Sequence, residues 1–185
     1  MKIFCASFFL LVAMSGFSCN AQPSSHFVWK DFEFQEAGVK ASLPCVPDKS
    51  SKVFQEKPKL AKSYSVSCST SDFSFAISLP ERFDNFNPER ADKELREAED
   101  VLTRILEEKA RLSGKEIIFQ GLPAREFTVR NDWTTGRQIA IFHERGIYNL
   151  LVSFTAPEAA ALTNQQRSDF ETVANKFFDS VQLVK

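Results

Sequence analysis

Residues 116–154 read EIIFQGLPAREFTVRNDWTTGRQIAIFHERGIYNLLVSF. Four apolar-rich runs lie in this stretch: 116–120, 124–130, 137–143 and 147–154. Between them stand Gly121-Leu122-Pro123, the segment Asn131 to Gly136, and Glu144-Arg145-Gly146. Glycine, proline and asparagine at such close spacing reverse the chain, so the runs are predicted to be four strands of an antiparallel meander. Downstream, Thr163 and Gln166 have the spacing of a capping box. Phe170, Val173, Ala174, Phe177 and Phe178 then form an apolar stripe with helical period. A short strand over 181–184 closes the chain.

Upstream, Tyr64, Val66 and Cys68 alternate with serines, and Phe73, Phe75, Ile77 and Leu79 alternate again after a turn. Period two in both runs predicts a hairpin with one buried face. Asn87 and Pro88 suit the N-cap and first position of a helix. Ala91, Leu95, Ala98, Leu102 and Ile105 give that helix an apolar face, and Gly114 is read as its C-terminal stop. Before the hairpin, 48–62 is a Lys-rich loop or a long hairpin, 39–43 is a strand, and 27–34 is extended. The predicted fold class is α+β: a mainly antiparallel sheet flanked by two principal helices, an α/β/α sandwich. The 19 phenylalanines supply its core.

The N-terminus sets the compartment. Lys2 precedes an uncharged apolar run, Ile3 to Ala13, and small residues end in Cys19-Asn20-Ala21. This is the layout of a secretory signal, residues 1–21, cleaved after Ala21, with 22–185 as a single domain. The apolar run is shorter than the roughly 20 residues that span a bilayer. The alternative is lipid attachment at Cys19. Cys5 and Cys19 fall in the leader, which leaves Cys45 and Cys68, and two cysteines in an oxidising compartment are expected to form a disulfide. The expected location is periplasmic or extracellular, or lipid-anchored through Cys19. The chain carries 23 Lys and Arg against 24 Asp and Glu, which argues against a nucleic-acid binder.

Several segments together resemble the PsbP-like superfamily, which includes photosystem II extrinsic subunits, a yeast Ran-binding nuclear factor and bacterial secreted proteins and lipoproteins. They are Val39-Lys40-Ala41-Ser42-Leu43-Pro44-Cys45-Val46-Pro47, the strand entry Gly121-Leu122-Pro123-Ala124-Arg125-Glu126, the strand Tyr148-Asn149-Leu150-Leu151-Val152, and the close Phe178-Asp179-Ser180-Val181-Gln182-Leu183. The resemblance runs from about Val39 to Leu183. It implies the sandwich fold and carries no activity across, because members of such a fold do different work.

Catalytic signatures fail one by one. His143-Glu144-Arg145-Gly146-Ile147 has Ile where a zinc-protease helix needs its second His, and the other histidine is His26. No Gly-x-Ser-x-Gly elbow and no Gly-x-Gly-x-x-Gly or Walker loop occurs. The carboxylate pairs Glu94 with Glu97 and Glu107 with Glu108 lie among Lys and Arg, as on a solvated helix face. No catalytic residue, cofactor or metal is therefore assigned. Two binding features stand out: the lysines at 49–62, with Lys52, Lys57 and Lys59 as contact candidates, and Trp133 at an expected hairpin tip. The sequence reads as an exported, non-enzymatic binding or accessory module of the cell envelope, whose partner protein or ligand it leaves unnamed. The alternatives are an enzyme such as a hydrolase with an unrecognised site, and a module that meets anionic surfaces through Lys49 to Lys62.

Overall fold

The computed structural model describes residues 27–56, 59–79, 87–106, 111–130, 134–156 and 161–184, with backbone alone for 52–56, 59–62, 101–106 and 111–112. Alternation in the sequence builds the central sheet. In β5 (Phe73–Leu79) every second side chain is buried, and β4 (Lys59–Ser69) pairs with it in antiparallel register, Val66 opposite Ile77 and Cys68 opposite Phe75. The 48–62 segment is the hairpin of its two readings: β3 (Asp48–Glu56) pairs with β4. The meander follows as β6 (Arg111–Phe119), β7 (Leu122–Arg130), β8 (Thr134–His143) and β9 (Gly146–Thr155). All seven form one antiparallel sheet in the order β3-β4-β5-β9-β8-β7-β6. Gln120 and Gly121 both have positive φ, the geometry of a two-residue hairpin turn.

A second sheet was not foreseen. β1 (Lys30–Phe34) and β10 (Gln182–Leu183) lie on either side of β2 (Val39–Leu43) in a three-stranded antiparallel sheet. This sheet and α2 (Asn164–Ser180) together cover one face of the large sheet. The main core lies between them, with Val39, Leu43, Phe75, Tyr148, Phe170 and Phe177 almost wholly buried. On the other face α1 (Ala91–Leu106) lies over β6, β7 and β8, where Ala91 and Leu95 meet Phe127, Ala140 and Phe142.

The expected α/β/α sandwich is therefore overturned. Strand dominates the described residues, with ten strands in two sheets, and helices of 16 and 17 residues. Neither helix forms a complete layer: one face is shared with a small sheet, and the other is only partly covered. The physical reason is cross-strand pairing. Residues 111–114, read as a helix end, instead pair with Phe127 to Arg130. Gly114 is a strand residue, and a Cβ there would fall 2.5 Å from Glu99 Oε1, so its missing side chain lets α1 approach. Leu95 is buried as expected, whereas the side chains of Leu102 and Ile105 lie outside the described residues.

The helix starts follow local chemistry. Asn87 Oδ1 accepts from the Glu89 N–H and opens a 3-10 turn over Pro88–Arg90. The Thr163–Gln166 capping box opens α2. Successive residues of β7 then hold the two helices. Arg125 points to the α1 face, where its Nε lies 2.6 Å from Glu99 Oε2 and its Nη1 3.2 Å from Glu116 Oε1. The Nε–H is not aimed at an acceptor, so the Glu99 contact is Coulombic attraction without a hydrogen bond. Glu126 points the other way, 2.6 Å from Arg137 Nη2 and 2.8 Å from Lys115 Nζ. Arg137 continues to Glu171 at 3.0 Å and Asn175 at 2.7 Å on α2. Burial works against ionisation of Glu126, but the bonds from Lys115 and Arg137 outweigh it and hold the carboxyl below its usual range.

Phe177 is fully buried and meets Phe75 edge-on at 5.5 Å. Phe177→Ala is expected to cost about 3–5 kcal/mol in chemical denaturation. A cost below about 1 kcal/mol would show that α2 is not seated on the sheet as described.

Candidate functional site

The two sheets meet along β2, and the residues that join them define the site. At the C-terminal end of β2, Cys45 is disulfide-bonded to Cys68 of β4, with Cα atoms 5.9 Å apart. At its N-terminal end, the buried Tyr148 hydroxyl donates to the Ala37 carbonyl at 2.7 Å. Gly38 follows with φ +64°, and a Cβ there would lie 3.1 Å from the Val184 carbonyl and against the Arg145 guanidinium. Glycine is required both for the backbone angle and for that close approach.

Arg145 and His143 come from the β8–β9 turn. The Arg145 N–H donates to His143 Nδ1 at 3.1 Å, and the imidazole stands edge-on to the Tyr148 ring, 5.3 Å between centroids. The Arg145 guanidinium reaches over Gly38 and donates from Nη2 to the Glu36 carbonyl at 2.6 Å. Burial lowers the His143 pKa, with the neighbouring Arg145 charge adding to it and Glu144 opposing. Burial likewise raises Tyr148, with Arg145 opposing. The result is a neutral imidazole and a neutral phenol beside a fixed cation.

A small cleft of about 200 Å³ opens here, lined by Glu33, Gln35, Gly38, Val39, Arg145 and Val184. That is below the roughly 300–1,000 Å³ of pockets that enclose a drug-sized ligand. Arg145 supplies donors for one small anionic group, whereas Glu33 brings a carboxylate to the same rim and pairs with Lys40 at 3.1 Å. His143 Nδ1 and the Tyr148 hydroxyl already serve structural hydrogen bonds, so neither is poised as a base or nucleophile in this arrangement.

Of the residues singled out by sequence, Cys45 and Cys68 are brought together. Lys52 and Lys59 lie on the β3 and β4 ladders as backbone positions, four pairings apart from each other's partners. Cys19, Lys57 and Trp133 fall outside the described residues. Arg145, Gly38 and Tyr148 were not assigned a role by sequence. The turn glycine and the arginine beside it are visible in the chain, but their meeting joins segments more than 100 residues apart. Among the described residues no group of His, Cys, Asp or Glu gathers as a metal site. No described helix is long and apolar enough to cross a membrane.

No family model matches the chain, and no curated protein matches it. Among solved structures, a Pseudomonas aeruginosa protein of unknown function is similar at 17% identity and TM-score 0.38, over 80% of this chain and 94% of that one. A likeness this distant carries no inference about the site.

The imidazole gives a pH signature. Its folded pKa is depressed, so the unfolded chain binds more protons in the window just below pH 6.5. The stabilisation is present above that ordinary value and is lost as pH falls toward the folded pKa. Thermal melts from pH 8 to 5 should therefore show the wild type losing more Tm on acidification than His143→Asn, which keeps an acceptor but cannot titrate. Identical curves would contradict the structural role given to His143.

Proposed function

We propose that this chain is an exported, non-enzymatic binding or accessory protein of the cell envelope. The observation that carries the reading is the Cys45–Cys68 disulfide, which joins the small sheet to the large one. Such bonds persist in oxidising compartments and are rare where thiols are kept reduced. It agrees with the signal-like segment 1–21. Closing a 23-residue separation supplies about 3 kcal/mol in the chain-entropy account, a sizeable part of a typical domain's stability. A chain that depends on this bond is suited to the periplasm or the extracellular space.

The non-enzymatic part is supported by the cleft at Gly38. On its lining Glu33 pairs with Lys40 and the Arg145 guanidinium with the Glu36 carbonyl, the nearby His143 and Tyr148 are engaged in structural hydrogen bonds, and Arg145 offers recognition of a small anion without a neighbouring nucleophile on the lining. The sequence resemblance to the exported bacterial members of the PsbP-like superfamily is part of the same proposal, although the α/β/α sandwich that it implied is not the fold observed. It rests on sequence, and two of its quoted segments have clear structural work: Arg125-Glu126 holds both helices, and Phe178 to Leu183 seats β10 on β2.

Intact mass of the protein recovered from the envelope or medium tests the reading. The expected product starts at Gln22, with both thiols oxidised. A diacylglycerol on Cys19 would make it a lipid-anchored form. An intact Met1 start with free Cys45 and Cys68, recovered from the cytoplasm, would refute export.

A further inference from the structure

We propose, resting on the binding reading above, that the cleft at Gly38 takes a small zwitterion: an ammonium and a carboxylate on a short carbon chain, as in a free amino acid. Arg145 and Glu33 lie together on one lining of about 200 Å³. Among the described residues they are the only charged side chains on it, one of each sign.

Arg145 is placed to meet the carboxylate. Its backbone N–H donates to His143 Nδ1, and its Nη2 donates to the Glu36 carbonyl at 2.6 Å. The guanidinium is thus fixed before a ligand arrives, and little ordering is left for binding to impose. Its Nη1 is the atom that a Cβ at Gly38 would strike, so the missing side chain is what admits the guanidinium to the lining. A planar fork of donors matches the two oxygens of a carboxylate.

A plain anion fits this cleft poorly. Glu33 shares the lining, and Glu36 and Glu144, both exposed, are close to Arg145 through its carbonyl partner and its chain neighbour. Their negative charge opposes a ligand that is only anionic, and Arg145 opposes one that is only cationic. A ligand with both charges satisfies each, with Glu33 as the partner of the ammonium. Glu33 can be recruited at little cost. Its cross-strand partner Lys40 lies at 3.1 Å, with both side chains 47% exposed, and exposed pairs of this kind hold weakly.

The remaining lining sets the size. Val39 and Val184 contribute apolar surface for a short aliphatic chain, and Gln35 adds an amide. The Val184 N–H donates to the Gly38 carbonyl at 2.8 Å, so these two walls are joined by the main chain. The volume is below that of pockets for drug-sized ligands, which favours a single small molecule.

The test is a two-dimensional NMR titration of the purified, disulfide-bonded protein with alanine, 4-aminobutanoate, acetate and ethylamine. Alanine or 4-aminobutanoate is expected to shift the Gly38 and Val184 amides to saturation, with Kd on the order of 1 mM, and the tighter of the two reports the charge separation the cleft prefers. Acetate and ethylamine should each bind at least about threefold more weakly. Glu33→Gln should weaken the zwitterion by about threefold to fivefold and leave acetate no weaker than before. Lys40→Ala releases Glu33 and should tighten the zwitterion about twofold. Lys93→Ala breaks an exposed pair with Glu97 on α1 and should bind like wild type. All three substitutions are at exposed positions, and the spectra themselves check the fold. The proposal fails if neither zwitterion saturates these amides, or if acetate or ethylamine binds as tightly as the better one. It also fails if Glu33→Gln binds that zwitterion as well as wild type, if Lys40→Ala does not tighten it, or if Lys93→Ala loses as much as Glu33→Gln. Export is judged separately by intact mass: an exported chain that binds none of these probes overturns the zwitterion site alone, and a cytoplasmic chain that binds one overturns export alone.

Discussion

The hydrogen bond from the buried Tyr148 hydroxyl to the Ala37 carbonyl fixes where the small sheet sits on the large one. A carbonyl in that position has no water to turn to, so the bond is costly to leave unmade. From it β2 runs across the core to the disulfide at Cys45, held at both ends. Everything laid on that face uses β2 as its base: β1 and β10 pair with it, and Ser180 at the end of α2 accepts from the Ser42 N–H at 3.0 Å. The last helix is therefore seated through the same strand.

The opposite face follows a different logic. α1 covers β6 to β8, and the Arg125–Glu99 attraction and the space left by Gly114 bring it close. Beyond α1, the outer faces of β3, β4 and β5 carry serines, whose hydroxyls bond across strands, Ser50 with Ser65 at 2.6 Å and Ser69 with Ser74 at 3.1 Å. Short side chains that satisfy one another can face water without exposing an apolar patch, which is how a strand-rich sheet can leave part of one face without a helical layer. Burial on one side and hydroxyl pairing on the other are the two halves of the same period-two pattern.

That pattern explains what the sequence showed. Phe73-Ser74-Phe75-Ala76-Ile77-Ser78-Leu79 announces a strand with one buried face, and the caps at Asn87 and at Thr163 with Gln166 announce helix starts, because each depends on neighbours a few residues apart. The second sheet was hidden because β10 is two residues long and its partner lies near the other end of the chain. Gly114 misled for a related reason: a glycine after a helical stripe is locally a stop, and only the distant pairing with Phe127 makes it a strand residue. The disulfide could be read from cysteine count and compartment. The Tyr148, Arg145 and Gly38 constellation could not, since it is made by contacts across more than 100 residues.

Native-state hydrogen exchange on Cys45→Ala/Cys68→Ala/Tyr148→Phe, which removes both ends of the clamp, tests this account most directly. The amides of β2 and β10 are expected to lose protection first and together, while those of β7 to β9 stay close to the global limit, itself lowered by several kcal/mol. Wild-type protection in β2 would contradict it, because the strand would then be held by packing alone and the clamp would be incidental.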